Sequence, residues 1–442
     1  MHKALLIQLA RFGDLVQSKR LIKSLLARGE LHLCLDHSLV PLARLLYPQA
    51  ITHGLDAHGT AGLKASSNPG SNTGATDKAE QNALPLSLLA GPDRASLDAL
   101  AAHKFDLVYN LNHSGLNLAL ARLFPPDSIE GHYVQDGQAL RSPWLDLAFR
   151  WTGQRLLAPL NLMDFWAYFC NEPIAPQAVN PPARAGGRGL GLVLAGRQAR
   201  RSLPPETLAQ CARIAFEACN GPPVFLFGGK SEQPLARALL RHFPGAMLEK
   251  TRNLSGKTDW AGLVEALEGL DCLLSPDTGV MHLAAHLGTP VQAFFLSSAW
   301  CFETGPYGAG HQVWQACTDC LPCLEAAPCT LDTQCLAPFG HRGFFAALSN
   351  ALKQKQLAGQ GEFAPYLLHL ESVLDESGTT WKLLQGQDPH EAQRKALRAA
   401  VAEYLGTGPD SLPNNKLAAL LYDERDWMRT LLDPASGRRR QA

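Results

Sequence analysis

Short apolar runs alternate with longer amphipathic segments along the first part of the chain. The run Ala4-Leu5-Leu6-Ile7 predicts a strand, Leu15 to Ala27 predicts a helix with one apolar face, and Leu31 to Leu35 predicts a second strand. Farther along, Phe105 to Tyr109 predicts another strand and Leu116 to Leu123 another helix. This order is typical of βαβ units, in which a helix connects two parallel strands.

A second series of the same kind begins near residue 190. Its predicted strands are Leu190 to Leu194, Val224 to Phe227, Cys272 to Ser275 and Val291 to Phe295, and amphipathic helical segments separate them. Strands that alternate with helices predict parallel, doubly wound sheets. We therefore expect an α/β protein with two Rossmann-like domains that face each other across a cleft. Ligands would bind at the carboxyl ends of the strands.

Changes in composition indicate the domain boundaries. Residues 55–82 are rich in Gly, Ser, Asn and Thr and contain no aromatic residue, so we expect a flexible insert in the N-terminal domain, residues 1–175. The Pro- and Gly-rich run between residues 173 and 189 predicts a linker to the C-terminal domain, residues 186–345. Residues 346–442 predict a helical extension, with helices from Glu391 to Leu405 and from Lys416 to Leu432, and contain no recognisable chemical motif.

Composition and charge exclude several classes of protein. The chain has 442 residues, of which 46% are apolar, so it can form more than one hydrophobic core. Forty Lys and Arg residues balance forty Asp and Glu residues, and this argues against a nucleic-acid-binding protein. No apolar run approaches about 18 residues, and the N-terminal run is too short and too charged for a signal peptide. We expect a cytoplasmic protein without a transmembrane segment.

A carboxylate follows the first predicted strand. Asp14 lies in the segment Ala10-Arg11-Phe12-Gly13-Asp14, between a strand and a helix. It could cap the helix by accepting backbone N–H bonds. Alternatively, it could face the cleft and accept a proton from an acceptor hydroxyl.

Two loops of the second domain could bind phosphate groups. Asp277, Thr278 and Gly279 lie where a strand leads into a helix, and the free N–H groups of a helix start attract a diphosphate. Asp277 could instead be only a helix cap, and His282 only a buried helical residue. After an earlier strand, Arg197 and Arg201 could neutralise a phosphate leaving group, although an exposed basic turn is the simpler interpretation.

Cysteines are concentrated in one region. Seven of the 11 cysteines lie between residues 272 and 335, and two overlapping C-x₂-C pairs occur at residues 317–323. Such spacing favours tetrahedral thiolate coordination of zinc or iron, with disulfides as the alternative. An iron–sulfur cluster is also compatible with four thiolates. The expected ligands of a structural metal within the cluster at 317–335 are Cys320, Cys323, Cys329 and Cys335, with Cys317 as the alternate.

Taken together, the loops resemble those of family 9 glycosyltransferases, and in particular the lipopolysaccharide core heptosyltransferases. The resemblance covers roughly residues 1–345 apart from the insert and is strongest between residues 253 and 311. Its most specific part is Asp277-Thr278-Gly279 with His282, followed by Gly288-Thr289-Pro290. The other matching motifs are Gly13-Asp14, Arg201-Ser202-Leu203-Pro204, Phe227-Gly228-Gly229 with Glu232, and Asn253-Leu254-Ser255-Gly256-Lys257-Thr258.

The resemblance implies a GT-B fold and transfer of heptose from ADP-L-glycero-D-manno-heptose with inversion, without a required metal. Asp14 would be the catalytic base, and Arg201 would pair with the donor diphosphate, joined by Arg197. Glu232 would contact the ribose, while Asp277, Thr278, Gly279 and His282 would line the donor pocket. The chain departs from the family at Ser202-Leu203, where Arg-Trp is common, and at the proline before Asp277.

The acceptor and two other functions stay open at this stage. The acceptor would be the lipopolysaccharide core, another glycan, or a protein, and a lipid-linked acceptor would be met at the inner face of the inner membrane. Some protein-modifying heptosyltransferases are similar in carrying a cysteine metal finger, so a protein O-heptosyltransferase is the first alternative. The second is a non-catalytic protein that binds a nucleotide sugar or a metal, because fold does not fix function. A sugar epimerase would need further acid–base groups, which the sequence does not reveal.

Overall fold

The computed structural model describes residues 2–57, 93–196, 198–325, 327–353 and 362–407. They form two compact units. The first is built from the described residues of Met1–Arg150 and Phe165–Ile174, and the second from those of Trp151–Asp164 and Ala175–Asp423. Among the described residues, no helix is long and apolar enough to cross a bilayer.

The first unit contains a six-stranded sheet with the strand order β3-β2-β1-β4-β5-β6. Strands β1 to β5 are parallel, and β6 pairs antiparallel with β5. Leu5, Ile7 and Cys34 are fully buried in its core, because both faces of a parallel sheet are covered by helices. The strands are β1 (His2–Gln8), β2 (Gly29–Asp36), β3 (Ile51–Leu55), β4 (Leu107–Asn110), β5 (Ile129–Gln135) and β6 (Gln138–Arg141).

The single helix predicted between Leu15 and Ala27 is two helices, α1 (Phe12–Gln17) and α2 (Lys19–Leu26). Ser18 separates them with φ −83° and ψ 1°, and its hydroxyl donates to the carbonyl oxygen of Asp14 at 2.9 Å. A serine hydroxyl that bonds to the preceding turn competes with the helical backbone bonds. The other helices of this part are α3 (Val40–Leu46), α4 (Arg94–Ala102), α5 (Gly115–Ala121), α6 (Pro143–Trp151) and α7 (Leu162–Ala167).

The second unit contains an eight-stranded sheet with the order β14-β13-β12-β11-β10-β7-β8-β9. Strands β7 to β12 are parallel and doubly wound, with the reversal of strand order between β7 and β10. Ligands of such sheets bind where the order reverses. The strands are β7 (Leu190–Val193), β8 (Val224–Phe227), β9 (Thr251–Asn253), β10 (Cys272–Pro276), β11 (Val291–Phe295), β12 (Gln312–Ala316), β13 (Leu367–Asp375) and β14 (Gly378–Gln385).

The helices of the second unit lie close to the bounds that the sequence predicts. The apolar pattern predicts helices from Pro204 to Ala218 and from Val280 to Leu287, and the structure has α8 (Pro205–Ala218) and α12 (Gly279–Leu287) there. Gly288 ends α12 in the left-handed conformation at φ 77°, which only glycine adopts without strain. The helices are α8 (Pro205–Ala218), α9 (Gln233–Leu240), α10 (Gly245–Glu249), α11 (Trp260–Leu267), α12 (Gly279–Leu287), α13 (Cys301–Thr304), α14 (Arg342–Leu352) and α15 (Glu391–Ala402).

Two expectations about segments need correction. The extension from residue 346 is not helical throughout, because β13 and β14 form an antiparallel hairpin that adds two strands beside β12. Buried apolar residues in β13, such as Leu367, Leu368 and Leu370, find their partners in the sheet, which a local pattern does not show. The flexible insert does not begin at Leu55, which is the last residue of β3 and is fully buried. The rest of the insert, 58–82, and the helix predicted over 416–432 lie outside the described residues.

Candidate functional site

The loops at the carboxyl edge of the second sheet bring together predicted site residues that are distant in sequence. Because β7 and β10 are adjacent, the loop after each strand emerges at the same place. Arg201 belongs to the first of these loops and Asp277 to the second. Arg197 lies outside the described residues. The structure therefore brings Arg201 and the Asp277 loop together.

Arg201 and Asp277 form a buried ion pair. Nη2 of Arg201 lies 2.5 Å from Oδ2 of Asp277, and the two side chains are only 13% and 8% exposed. The Thr304 hydroxyl at the end of α13 donates to the same oxygen at 3.1 Å. The Nε–H of Arg201 is buried without a hydrogen-bond partner among the described residues. This guanidinium therefore keeps one donor that another acceptor could use.

Asp277 is ionised despite its burial. Burial by itself would raise the pKa of Asp277, but a hydrogen bond from His282 and the positive charge of Arg201 bring the pKa below its usual value. Nε2 of His282 lies 3.5 Å from Oδ1 of Asp277, and His282 is itself buried. His282 thus holds the carboxylate from the side opposite Arg201. His282 is therefore a buried helical residue that also contacts the Asp277 carboxylate.

The amino terminus of α12 lies next to this pair. Its cap is Thr278, whose hydroxyl oxygen accepts the backbone N–H of Met281 at 3.3 Å and lies 3.2 Å from the Ser275 hydroxyl. Asp277 is therefore not the cap of this helix. The start of α12 offers free backbone N–H groups at its positive end. Gly279 is the first residue of the helix and leaves that end uncovered by a side chain.

Glu232 lies in the loop after β8, in a turn that its own carboxylate stabilises. One oxygen accepts the backbone N–H of Gly229 at 2.5 Å, and the other accepts the Ser231 hydroxyl at 2.7 Å. The neighbouring loop after β9 is joined to it by the Gly256 N–H, which donates to the Gly228 carbonyl at 2.8 Å. The β8 and β9 loops therefore form one continuous edge. Glu232 is half-buried on that edge.

Arg155 is a site residue that sequence reasoning missed. Its side chain is 9% exposed, and its Nε–H and Nη–H groups pair with both carboxylate oxygens of Glu303 in α13. It also donates to the carbonyls of Ser298 and Cys323 at 2.8 and 2.9 Å. Burial lowers the pKa of Arg155, but the charge of Glu303 outweighs that effect and the pKa is raised. A single arginine in a short turn before the linker gives no sequence signal for this role.

Arg200 attaches the cysteine-rich loop, residues 317–335, to the loop after β7. Its guanidinium donates to the carbonyls of Leu324, Glu325 and Ala327 at 2.6–3.0 Å. The Gln198 amide donates to the Glu325 carbonyl as well, at 3.3 Å. These bonds place the Glu325 carboxylate beside the site, with Oε2 3.5 Å from Nη1 of Arg201. Glu325 is the second residue here that the sequence analysis did not identify.

The cysteines do not form a metal cage as placed. Within the described part of the chain, no three His, Cys, Asp or Glu side chains are arranged to hold one ion. Among the described residues, no cysteine forms a disulfide bond. Burial raises the pKa of Cys317 to about 11 and raises that of Cys323 and Cys335, whereas two backbone N–H donors lower the pKa of the exposed Cys329. Neighbouring charges contribute to these raised pKa values. They come from Cys320 and Cys329 for Cys323 and Cys335, and from Asp388 and Asp319 for Cys317.

Asp14 lies in the first unit, at the third position of α1. Its Oδ2 accepts the backbone N–H of Arg11 at 3.0 Å, so the carboxylate does cap the helix start. The side chain is half-buried. Nearby, Gln8 at the end of β1 donates to the Ser18 hydroxyl at 3.3 Å and accepts from the Asn112 amide. The capping role is thus present in the structure.

Comparison with known proteins relates part of the second unit to one protein family. Residues 203–332 match the model of glycosyltransferase family 9 (heptosyltransferase). The matched segment includes Glu232, Asp277, Thr278, Gly279 and His282. This confirms the resemblance inferred from the motifs.

Individual relatives are distant. Lipooligosaccharide heptosyltransferase 2 of Haemophilus influenzae is 29% identical over 76 residues, which are 17% of this chain and 22% of that protein. A family 9 glycosyltransferase from Veillonella parvula aligns with 71% of this chain and 85% of its own at 14% identity and TM-score 0.50. The E. coli ADP-heptose lipopolysaccharide heptosyltransferase II aligns with 70% of this chain and 89% of its own at 16% identity and TM-score 0.49. The two sheets and the alignment with the Veillonella parvula structure confirm the predicted α/β class.

Proposed function

We propose that the protein is an inverting glycosyltransferase that transfers a heptose from ADP-L-glycero-D-manno-heptose to a lipopolysaccharide-core or related glycan acceptor. One observation carries the proposal. The buried Arg201–Asp277 pair lies beside the amino terminus of α12, inside or next to the segment that matches family 9. A guanidinium and a helix start with free N–H groups together bind a diphosphate.

In this proposal the second unit binds the donor. Arg201 and the N–H groups at Thr278 and Gly279 contact the diphosphate, while Arg197 adds positive charge to the same loop. Glu232 on the β8 edge binds ribose hydroxyls, since a carboxylate accepts two such bonds. Asp277, which His282 and Arg201 keep ionised, accepts hydroxyls of the sugar.

Asp14 of the first unit is the proposed base. It accepts the proton of the acceptor hydroxyl as the oxygen attacks C1 of the sugar, and ADP leaves from the opposite face with inversion. A positioned base contributes about 10²–10⁴-fold to the rate. The charge that develops on the leaving diphosphate is stabilised by Arg201 and the α12 terminus, which contribute a comparable factor. No metal takes part in these steps.

Calorimetric titration with ADP-heptose tests the proposal, with UDP- and GDP-sugars as controls. We expect micromolar binding of the ADP-sugar alone, which corresponds to about −8 kcal/mol. Preference for a UDP- or GDP-sugar would contradict the donor assignment while leaving the fold unaffected.

The cysteine cluster contributes to the proposal as a structural element only. Four thiolates accept zinc or iron, and Cys320, Cys323, Cys329 and Cys335 remain the proposed ligands, with Cys317 as alternate. Because these side chains do not converge as placed, the metal is a prediction that elemental analysis of the purified protein decides. About one equivalent of zinc or iron, lost when Cys320 and Cys323 are both replaced by serine, would support it.

A further inference from the structure

The carboxylate of Glu325 lies against the guanidinium that the proposed function assigns to the donor diphosphate. Arg201 faces two carboxylates, Asp277 at 2.5 Å and Glu325 at 3.5 Å. The two carboxylates compensate the positive charge of this guanidinium. A diphosphate that binds Arg201 therefore competes with them for it.

Geometry and burial identify the carboxylate that gives way. Asp277 is 8% exposed and is held by Arg201, Thr304 and His282 together, so its position is fixed. The Glu325 side chain is 24% exposed, and at 3.5 Å its contact with Arg201 is an ion pair too long for a good hydrogen bond. The Ser298 hydroxyl, a second partner, can hold the carboxylate after it leaves Arg201.

The backbone around Glu325, in contrast, is firmly attached. Arg200 binds the carbonyls of Leu324, Glu325 and Ala327, and Arg155 binds that of Cys323. The Cys323 N–H donates to the Ser297 carbonyl at 3.0 Å. The backbone of the cysteine-rich loop thus fixes where the Glu325 side chain starts, and that side chain contacts Arg201 and the Ser298 hydroxyl.

We propose that Glu325 is a competing carboxylate that occupies Arg201 in the ligand-free protein and is displaced by the diphosphate of the nucleotide donor. This inference rests on the proposed function, because it takes Arg201 as a diphosphate ligand. It makes the cysteine-rich loop a determinant of donor affinity. Replacement of Glu325 by an uncharged residue therefore tightens nucleotide binding, whereas loss of a merely structural contact would weaken it or leave it unchanged.

Calorimetry with ADP as the probe and the full chain tests this directly. We expect Glu325→Gln to bind ADP about tenfold more tightly than the wild type, which is about 1.4 kcal/mol. The matched control is Asp319→Asn, an exposed position on the same loop where the same charge is removed away from Arg201. Its ADP affinity should equal that of the wild type. In the double variant Arg201→Gln/Glu325→Gln the gain should disappear, since no guanidinium is released.

Glu325→Asp covers the case in which Glu325→Gln does not fold. Its shorter side chain withdraws the carboxylate while the charge stays, so a smaller gain in ADP affinity is expected. Equal or weaker ADP binding by the folded variants would overturn the inference.

The failure of the proposed function gives a different pattern. If the wild type binds ADP and Arg201→Gln loses it, the donor site stands, and an unchanged Glu325→Gln refutes only the role of Glu325. If neither the wild type nor Glu325→Gln binds ADP, or if Arg201→Gln binds like the wild type, the donor site itself is wrong and the inference fails with it.

Discussion

Arg155 shows how much one buried side chain can hold together in the second unit. Its guanidinium joins α13, the loop after β11 and the cysteine-rich loop through Glu303, Ser298 and Cys323. Burial removes the guanidinium from water, and this is unfavourable unless its N–H donors find acceptors in the protein. The shape of the donor loops therefore depends on a residue that comes from a turn before the linker.

The first prediction concerns this arginine. Arg155→Lys removes the bidentate pairing with Glu303 and leaves donors and acceptors unsatisfied, and we expect a loss of about 2–4 kcal/mol in the free energy of unfolding. Urea unfolding followed by circular dichroism measures it. Arg184→Lys, at an exposed position in the same unit, is the control and should change stability by less than about 0.5 kcal/mol. Equal stability of the two variants would show that the Arg155 contacts contribute little.

Asp14 gives the second prediction at this scale. Asp14→Asn keeps the size of the side chain and an oxygen that can accept the Arg11 N–H, but it cannot accept a proton at neutral pH. We expect transfer to fall by about 10²–10⁴-fold while the affinity for ADP is unchanged. Single-turnover transfer and ADP titration separate the two effects. Full transfer activity in the variant would remove Asp14 from the mechanism.

Among the elements, α12 combines the stability of the second unit with its chemistry. Thr278 caps its start by accepting the Met281 N–H, and Gly288 ends it in the left-handed conformation. The same start is where the donor diphosphate is proposed to bind. Asp277 directly follows β10, the strand before α12. Arg201 lies in the loop after β7, which is the neighbour of β10 in the sheet.

The third prediction tests the cap. Thr278→Ala loses the side-chain acceptor of the Met281 N–H, and we expect a loss of about 1 kcal/mol in stability. Thr278→Ser keeps the hydroxyl and should retain most of that energy. Thermal unfolding of both variants gives the comparison. If the two variants unfold at the same temperature, the hydroxyl does not act as a cap.

At the scale of the whole molecule, buried neutral histidines lie in both units. His53 in β3 is hydrogen-bonded to His32 at 2.7 Å, and the His103 ring lies 4.6 Å from that of His32. Burial lowers the pKa of His53 to about 4, with the charge of His32 adding to the effect. In the second unit, burial lowers the pKa of His311 to about 4 and that of His369 to about 3. These side chains are neutral in the folded protein where an unfolded chain would bind protons.

The fourth prediction follows from this difference. A folded pKa below the unfolded value of 6.5 means that stability is complete above pH 6.5 and falls as the pH drops toward 4, where His311 alone costs about 3 kcal/mol. We expect unfolding midpoints to fall steadily from pH 7 to pH 4.5. Replacement of His311 by leucine should flatten the profile, and the exposed His242→Gln should not. A flat wild-type profile would refute the assignment of neutral buried histidines.

Much of the architecture is predictable because it depends on neighbours in sequence. The alternation of apolar runs with amphipathic segments determines β1, β2, β7, β8, β10 and β11 and the helices between them, since each strand and helix must bury its own apolar side. The Asp-Thr-Gly and Gly-Asp motifs likewise mark places where a strand ends and a helix begins. The β13–β14 hairpin is not predictable in this way, because its strands depend on the free edge of β12 for hydrogen bonds.

The sequence by itself thus determined the α/β class, the order of most elements and the strand ends beside which Asp14, Arg201, Glu232, Asp277, Thr278 and His282 lie. Only the tertiary structure decided that Arg201 pairs with Asp277, that Thr278 and not Asp277 caps α12, and that Arg155 and Glu325 belong to the site. The physical reason is that periodicity and motifs record local burial, whereas ion pairs between residues 76 to 148 positions apart form only when strand order places their loops together. Pairing of that kind is a property of the sheet, and the chain reveals it only when folded.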